Sequence, residues 1–128
     1  MKSVCLIDDD SIYVMLAKRL ISLNNLSDTV TEYTDGREAF QALQQINAEG
    51  GALPDVIFLD VNMPIWDGWD FLDEFSKLNL AAYPEIYIVT SSSHSLDREK
   101  AATYPIVQRS LTKPLELDDL VAILKSGN

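Results

Sequence analysis

Cysteine and histidine are nearly missing from this sequence, with one of each, Cys5 and His94, among 128 residues. A lone cysteine excludes a disulfide within the chain, and its place in the first apolar run reads as a small buried hydrophobe rather than a redox group. His94 stands in a polar loop with no partner base, so phosphohistidine chemistry at that residue is not expected. Basic residues are also scarce, ten against twenty acidic ones, for a formal net charge of -10. They are scattered rather than gathered on one predicted helix, which argues against direct nucleic-acid binding. No apolar run is long enough to cross a bilayer, and the start, MKSVCLIDDD, has the charge pattern of neither a signal nor a transit peptide. Repeats and low-complexity segments are absent too. What remains is the expectation of a cytoplasmic protein with a single domain over residues 1–128.

Short β-type runs alternate with helix-period segments from end to end. The strands are expected at Ser3 to Ile7, Thr29 to Tyr33, Val56 to Leu59 and Glu85 to Val89, with a fifth that begins at Ile106 and Val107 and closes at Lys113 and Pro114. The first helix follows DDD, with Ile12, Met15, Leu16, Leu20 and Leu23 at helical spacing. Asp35 and Glu38 form a capping pair for a second helix carrying Ala39, Leu43 and Ile46. A third carries Phe71, Leu72, Phe75 and Leu78. A thin helix runs near Leu96 to Thr103, and a last one is lined by Leu117, Leu120, Val121 and Leu124. Five such units with continuous apolar strands imply an α/β fold, a doubly wound parallel sheet with helices on both faces. Strand order does not follow from the pattern.

In an open sheet of this kind ligands bind beyond the carboxyl ends of the strands. Strand one ends in Asp8, Asp9 and Asp10; strand three, VIFLD, ends in Asp60; strand four ends in Thr90 and Ser91; strand five ends in Lys113. Carboxylates gathered on one rim repel, and a divalent cation removes the conflict. With only oxygen ligands at hand, and room for waters and a phosphate, magnesium suits better than calcium. A carboxylate beside Mg2+, with a lysine and a hydroxyl to hold phosphoryl oxygens, is the apparatus of phosphoryl transfer onto aspartate. Asp60 is the expected nucleophile. Asp10 reads equally well as an acid favoured by a helix N-terminus.

The pieces LIDDD, FLDVNMP with DG following, IVTSS and LTKP stand in an order and at separations that resemble the receiver domain of bacterial two-component response regulators, over the whole chain. The resemblance implies the flavodoxin-like strand order 2-1-3-4-5. It implies Asp60 as phosphoacceptor, with Asp9 and Asp60 binding magnesium directly, Asp8 acting largely through a water, and Asn62 offering its backbone carbonyl. Thr90 becomes the hydroxyl that moves onto the phosphoryl group and Lys113 its salt-bridge partner, with a cis bond between Lys113 and Pro114. The donor is then a histidine kinase or a histidine phosphotransfer protein, and slow hydrolysis of the aspartyl phosphate is expected. With the sequence ending at Asn128, output through a bound partner or onward transfer is expected. Asn62 and Ser92, two positions after Asp60 and Thr90, are expected to tune the lifetime of the phosphorylated state.

Two positions depart from the family's pattern. Three residues before the lysine, where receivers often carry a tyrosine or phenylalanine, this chain has Ser110, and Trp66 stands where methionine is frequent. Ser110 supports a competing reading as an interaction module that gives no signal through phosphorylation. An aspartate-nucleophile phosphatase typically has an acid two residues after the nucleophile, and here that residue is Asn62. A flavodoxin-like electron carrier has the same layout but needs a phosphate-cradling first loop, which three aspartates oppose.

Overall fold

The structure is a computed structural model that describes residues 1–90 and 95–125. Strands β1 (Val4–Ile7), β2 (Val30–Tyr33), β3 (Val56–Asp60), β4 (Glu85–Thr90) and β5 (Val107–Thr112) alternate with helices α1 (Ser11–Leu23), α2 (Gly36–Ala48), α3 (Gly68–Phe75), α4 (Ser95–Ala101) and α5 (Leu117–Leu124). The strands form one five-stranded sheet in the order β2-β1-β3-β4-β5, every pairing parallel. Parallel neighbours need long crossovers, which α1 to α4 supply, while α5 follows the last strand.

Side chains on a strand point alternately to its two faces. Val4 and Leu6, Val56 and Phe58, Tyr87 and Val89 therefore meet α1 and α5 in one apolar layer. Cys5 and Ile7, Ile57 and Leu59, Ile86 and Ile88 meet α2, α3 and the end of α4 in the other. Cys5 is fully buried, as its apolar setting predicts. Both faces are covered, so β1, β3 and β4 read as unbroken apolar runs. Each large side chain so buried stabilises the fold by about 1.5–3 kcal/mol.

The helix starts follow their caps. Asp10 accepts hydrogen bonds from the N–H groups of Ile12 and Tyr13 at the start of α1. Asp35 accepts from Glu38 N–H at 2.8 Å while the Glu38 carboxylate reaches back to Thr34 N–H at 2.9 Å, the expected capping pair. Asp67 and Asp70 form a full capping box on α3.

Two helices turn differently from the spacing rule. The stripe of Ile12, Met15, Leu16, Leu20 and Leu23 is not the core face of α1: Ile12 is 66% and Leu23 73% exposed, Met15 and Leu16 are exposed, and Leu20 is only partly buried. Tyr13, Val14, Ala17 and Ile21 are buried instead. Apolar residues run without a break from Ile12 to Ala17, so two stripes satisfy the helical period; the Asp10 cap fixes the rotation, and the small Ala17 lets the helix sit close to the sheet. On α5 the buried residues are Leu120, Ile123 and Leu124, with Leu117 and Val121 partly exposed. The third helix stops at Phe75, so Leu78 packs on the same core layer from beyond its end.

Candidate functional site

Register brings the acids together. Ile7 lies opposite Leu59 across the β1 and β3 pairing, so the next residues, Asp8 and Asp60, stand side by side at the sheet rim. Asp60 is itself the last residue of β3, opposite Val89. On the far side of β4, Thr90 lies opposite Thr112, and the N–H of Lys113 donates to the Thr90 carbonyl at 2.7 Å. Three separate strand ends thus deliver Asp8, Asp60 and Lys113 to one place. The peptide bond between Lys113 and Pro114 is cis, as expected.

One carboxylate oxygen each of Asp8, Asp9 and Asp60 lies within 4.8 Å of the others. Asp8 and Asp60 are buried, at 3% and 5% exposure, and Asp9 is exposed. The Lys113 ammonium lies 2.8 Å from Asp8 Oδ2 and 3.8 Å from Asp60 Oδ1. The ammonium and the buried Asp8 Oδ2 form a close ion pair. Asp8 Oδ1 accepts from the Asp10 N–H at 2.9 Å, which folds the acidic turn back on itself.

These surroundings set the protonation. Burial raises Asp8 above the ordinary carboxylate range, opposed by Lys113 and by the Asp10 N–H. Burial, then the neighbouring Asp8 charge, pushes Asp60 up to about 6, although Lys113 and the Asn62 N–H pull the other way. Desolvation and like-charge repulsion are the two causes, and a bound cation would relieve both.

The loop after Asp60 is held against it. Gly68 N–H donates to the Val61 carbonyl at 3.1 Å, and a Cβ on Gly68 would lie only 2.6 Å from the Asp60 carbonyl oxygen. Only glycine permits that approach, which explains the DG after the proline. Within the loop Asn62 is exposed, and Trp66 is half-buried against Phe40, ring centroids 5.6 Å apart. Trp69 stacks on Tyr104 at 5.8 Å. Thr90 is buried at the end of β4. Ser110 is partly buried on β5, beside a recess of about 490 Å³ shared with Arg98 and Ala101. Ser91, Ser92 and His94 lie outside the described residues. Sequence reasoning treated Asp10 as open between two roles; the structure gives it the helix cap. It passed over Tyr13, whose ring faces Lys113, because an aromatic in a helical apolar stretch carries no chemical signature.

A larger recess, about 610 Å³, lies at the amino ends of the strands, lined in part by Lys2, Asp55 and Glu85. Its charged groups are engaged in structural contacts, Asp55 with Ser3 and Lys2 with Glu85. The gathered acids and Lys113 stand at the opposite rim.

A five-stranded parallel sheet in this order, with gathered acids and a lysine at its carboxyl edge, defines a receiver-type α/β domain. The chain belongs to the response regulator receiver domain family, whose model matches residues 4–125. Among curated proteins it is 27% identical to the probable methanogenesis regulatory protein FilR2 of Methanothrix harundinacea, over 91% of this chain and 75% of that protein. It is 30% identical to a segment of the sensor histidine kinase CheAY of Helicobacter pylori, over 95% of this chain but 14% of that one. A two-component response regulator from Cytophaga hutchinsonii superposes with a TM-score of 0.84 at 30% identity, covering 92% of this chain and 90% of that one. Among the described residues no helix is long and apolar enough to cross a membrane.

Proposed function

We propose that Asp60 accepts a phosphoryl group from a phosphohistidine of a histidine kinase or histidine phosphotransfer protein in the cytoplasm, and that the aspartyl phosphate changes which partner the chain binds. The observation that carries this reading is the gathering of Asp8, Asp9 and Asp60 within 4.8 Å, with the Lys113 ammonium 3.8 Å from Asp60. Receiver domains pair with histidine kinases, and a relative of this chain is part of one. In the transfer a new P–O bond forms to an Asp60 oxygen as the P–N bond to the imidazole breaks, the electron pair leaving with nitrogen. Asp60 serves as the nucleophile in its charged form. Lys113 stands ready to pair with a phosphoryl oxygen, and the Thr90 hydroxyl donates a hydrogen bond to another.

The acids fit a magnesium ion. They offer oxygen donors only, and two of them are buried beside one another with their carboxyl groups raised above the ordinary range, the condition a cation relieves. Asp8, Asp9 and Asp60 would hold it, with the backbone carbonyl of Asn62. When bound, the ion supplies positive charge to the phosphoryl oxygens.

The test is incubation of the protein with Mg2+ and acetyl phosphate, read by intact mass. The expected result is the added mass of one phosphoryl group, lost in Asp60→Asn. An unmodified wild type, or an adduct that persists in Asp60→Asn, would count against the reading. Ser110 favours a second possibility, an interaction module that does not switch, since a small hydroxyl leaves open the recess between α4 and β5. Partner binding that is the same with and without phosphorylation would select it.

A further inference from the structure

Lys113 has a third neighbour besides the two acids. Its ammonium sits 4.5 Å from the ring centroid of Tyr13, a residue of the first turn of α1 that is buried in the core layer. The same nitrogen is 2.8 Å from Asp8 and 3.8 Å from Asp60. A lysine head is a compact charge on a flexible four-carbon stem, so contact with acids alone would leave it free to follow whichever carboxylate is nearer. An aromatic face attracts the ammonium without competing for a proton, and it does so more strongly where water is excluded. Lys113 is only 15% exposed at its side chain.

Tyr13 is not held there by its hydroxyl. That oxygen is buried and has no hydrogen-bond partner among the described residues. A buried tyrosine ordinarily finds a partner for its O–H, so the ring must account for the residue's place. Tyr13 and Lys113 line one groove together with Leu16, Leu20, Pro114 and Leu115.

We infer that Tyr13 is a positioning residue of the phosphoacceptor site that acts through Lys113: the ring face, and not the hydroxyl, keeps the ammonium within reach of Asp60. The inference rests on the phosphoacceptor reading of Asp60. It makes the site depend on aromaticity at position 13 and not on a polar group there.

The experiment uses the full chain and has two arms. In the first, NMR reads the ε-methylene protons of Lys113, bonded next to the Nζ that sits over the ring, which the ring current is expected to shift upfield. The shift is expected in wild type and Tyr13→Phe and absent in Tyr13→Leu and Tyr13→Met. In the second, the rate of adduct formation from acetyl phosphate with Mg2+ stays within about twofold of wild type in Tyr13→Phe and falls about tenfold or more in the leucine and methionine variants. A wild type with no upfield shift overturns the inference, as does a leucine or methionine variant that reacts at the wild-type rate, or a phenylalanine variant as slow as either. Should both aliphatic variants lose the fold in thermal melts, the wild-type resonance and the Tyr13→Phe rate still decide. A wild type that shows the ring shift but takes no phosphoryl group overturns the reading of Asp60, and the role with it, while leaving the ring contact standing; the two failures are thereby told apart.

Discussion

Asp60 is buried beside a second acid, and the fold keeps its proton near a pH where a free aspartate has long lost it. The group rises from 3.8 to about 6, by burial first and the Asp8 charge second. The folded state therefore binds this proton more tightly than the unfolded chain. Its contribution to stability is fully present below the unfolded value of 3.8, declines as pH rises, and is lost above about 6. Asp60→Asn removes that titration. In metal-free buffer the substitution is expected to stabilise the protein at pH 7.5 by on the order of 2 kcal/mol and to change little at pH 4. Thermal melts at both values check this, and an equal effect at each would contradict it. Five residues on, Ile65 holds a left-handed backbone, φ 68°, while 70% exposed. A β-branched residue is strained in that conformation, and little apolar burial offsets the cost. Ile65→Asn is expected to raise stability by about 1 kcal/mol, a few degrees in Tm; a lower Tm would show that the isoleucine makes a contact worth more than the strain.

At the scale of elements, the strands were legible and the rotations of α1 and α5 were not. Each strand lies within two residues of its expected place; in β1, β3 and β4 this is because burial on both faces leaves no room for polar interruption, whereas the edge strands β2 and β5 carry exposed polar residues. The first helix misled because a run of six apolar residues satisfies two stripes at once, and only the capped turn and the sheet decide between them. The assignment has a direct check in urea unfolding. Ile21→Ala is expected to cost about 2–5 kcal/mol, whereas Leu23→Ser stays within about 0.5 kcal/mol, although spacing alone would rank Leu23 as core. Comparable losses at the two positions would contradict the observed rotation. The site shows the same division. Asp8, Asp9, Asp60 and Lys113 were legible because each ends a predicted strand, and the sheet rule sends strand ends to one rim. Tyr13 was not, since its role exists only once α1 is docked with the ring beneath an ammonium from β5's end, a hundred residues away in sequence.

Across the whole molecule, the order of the strands is what turns scattered acids into a site. Local pattern leaves that order open; it came with the family resemblance, and the sheet has it. The order puts β1 and β3 next to each other at the centre, so two buried carboxylates become neighbours, while β5 at the edge brings in the only lysine that touches them among the described residues. In a chain of net charge -10 that single cation is a sparse counterweight, consistent with an ion completing the site. The most direct measurement of the central claim is to phosphorylate the protein with acetyl phosphate and Mg2+, reduce the acyl phosphate with borohydride, and sequence the peptides by mass spectrometry. Conversion of the aspartate at position 60, and of no other, to homoserine is the predicted result. Homoserine at position 8 or 9, or none anywhere, would contradict the assignment.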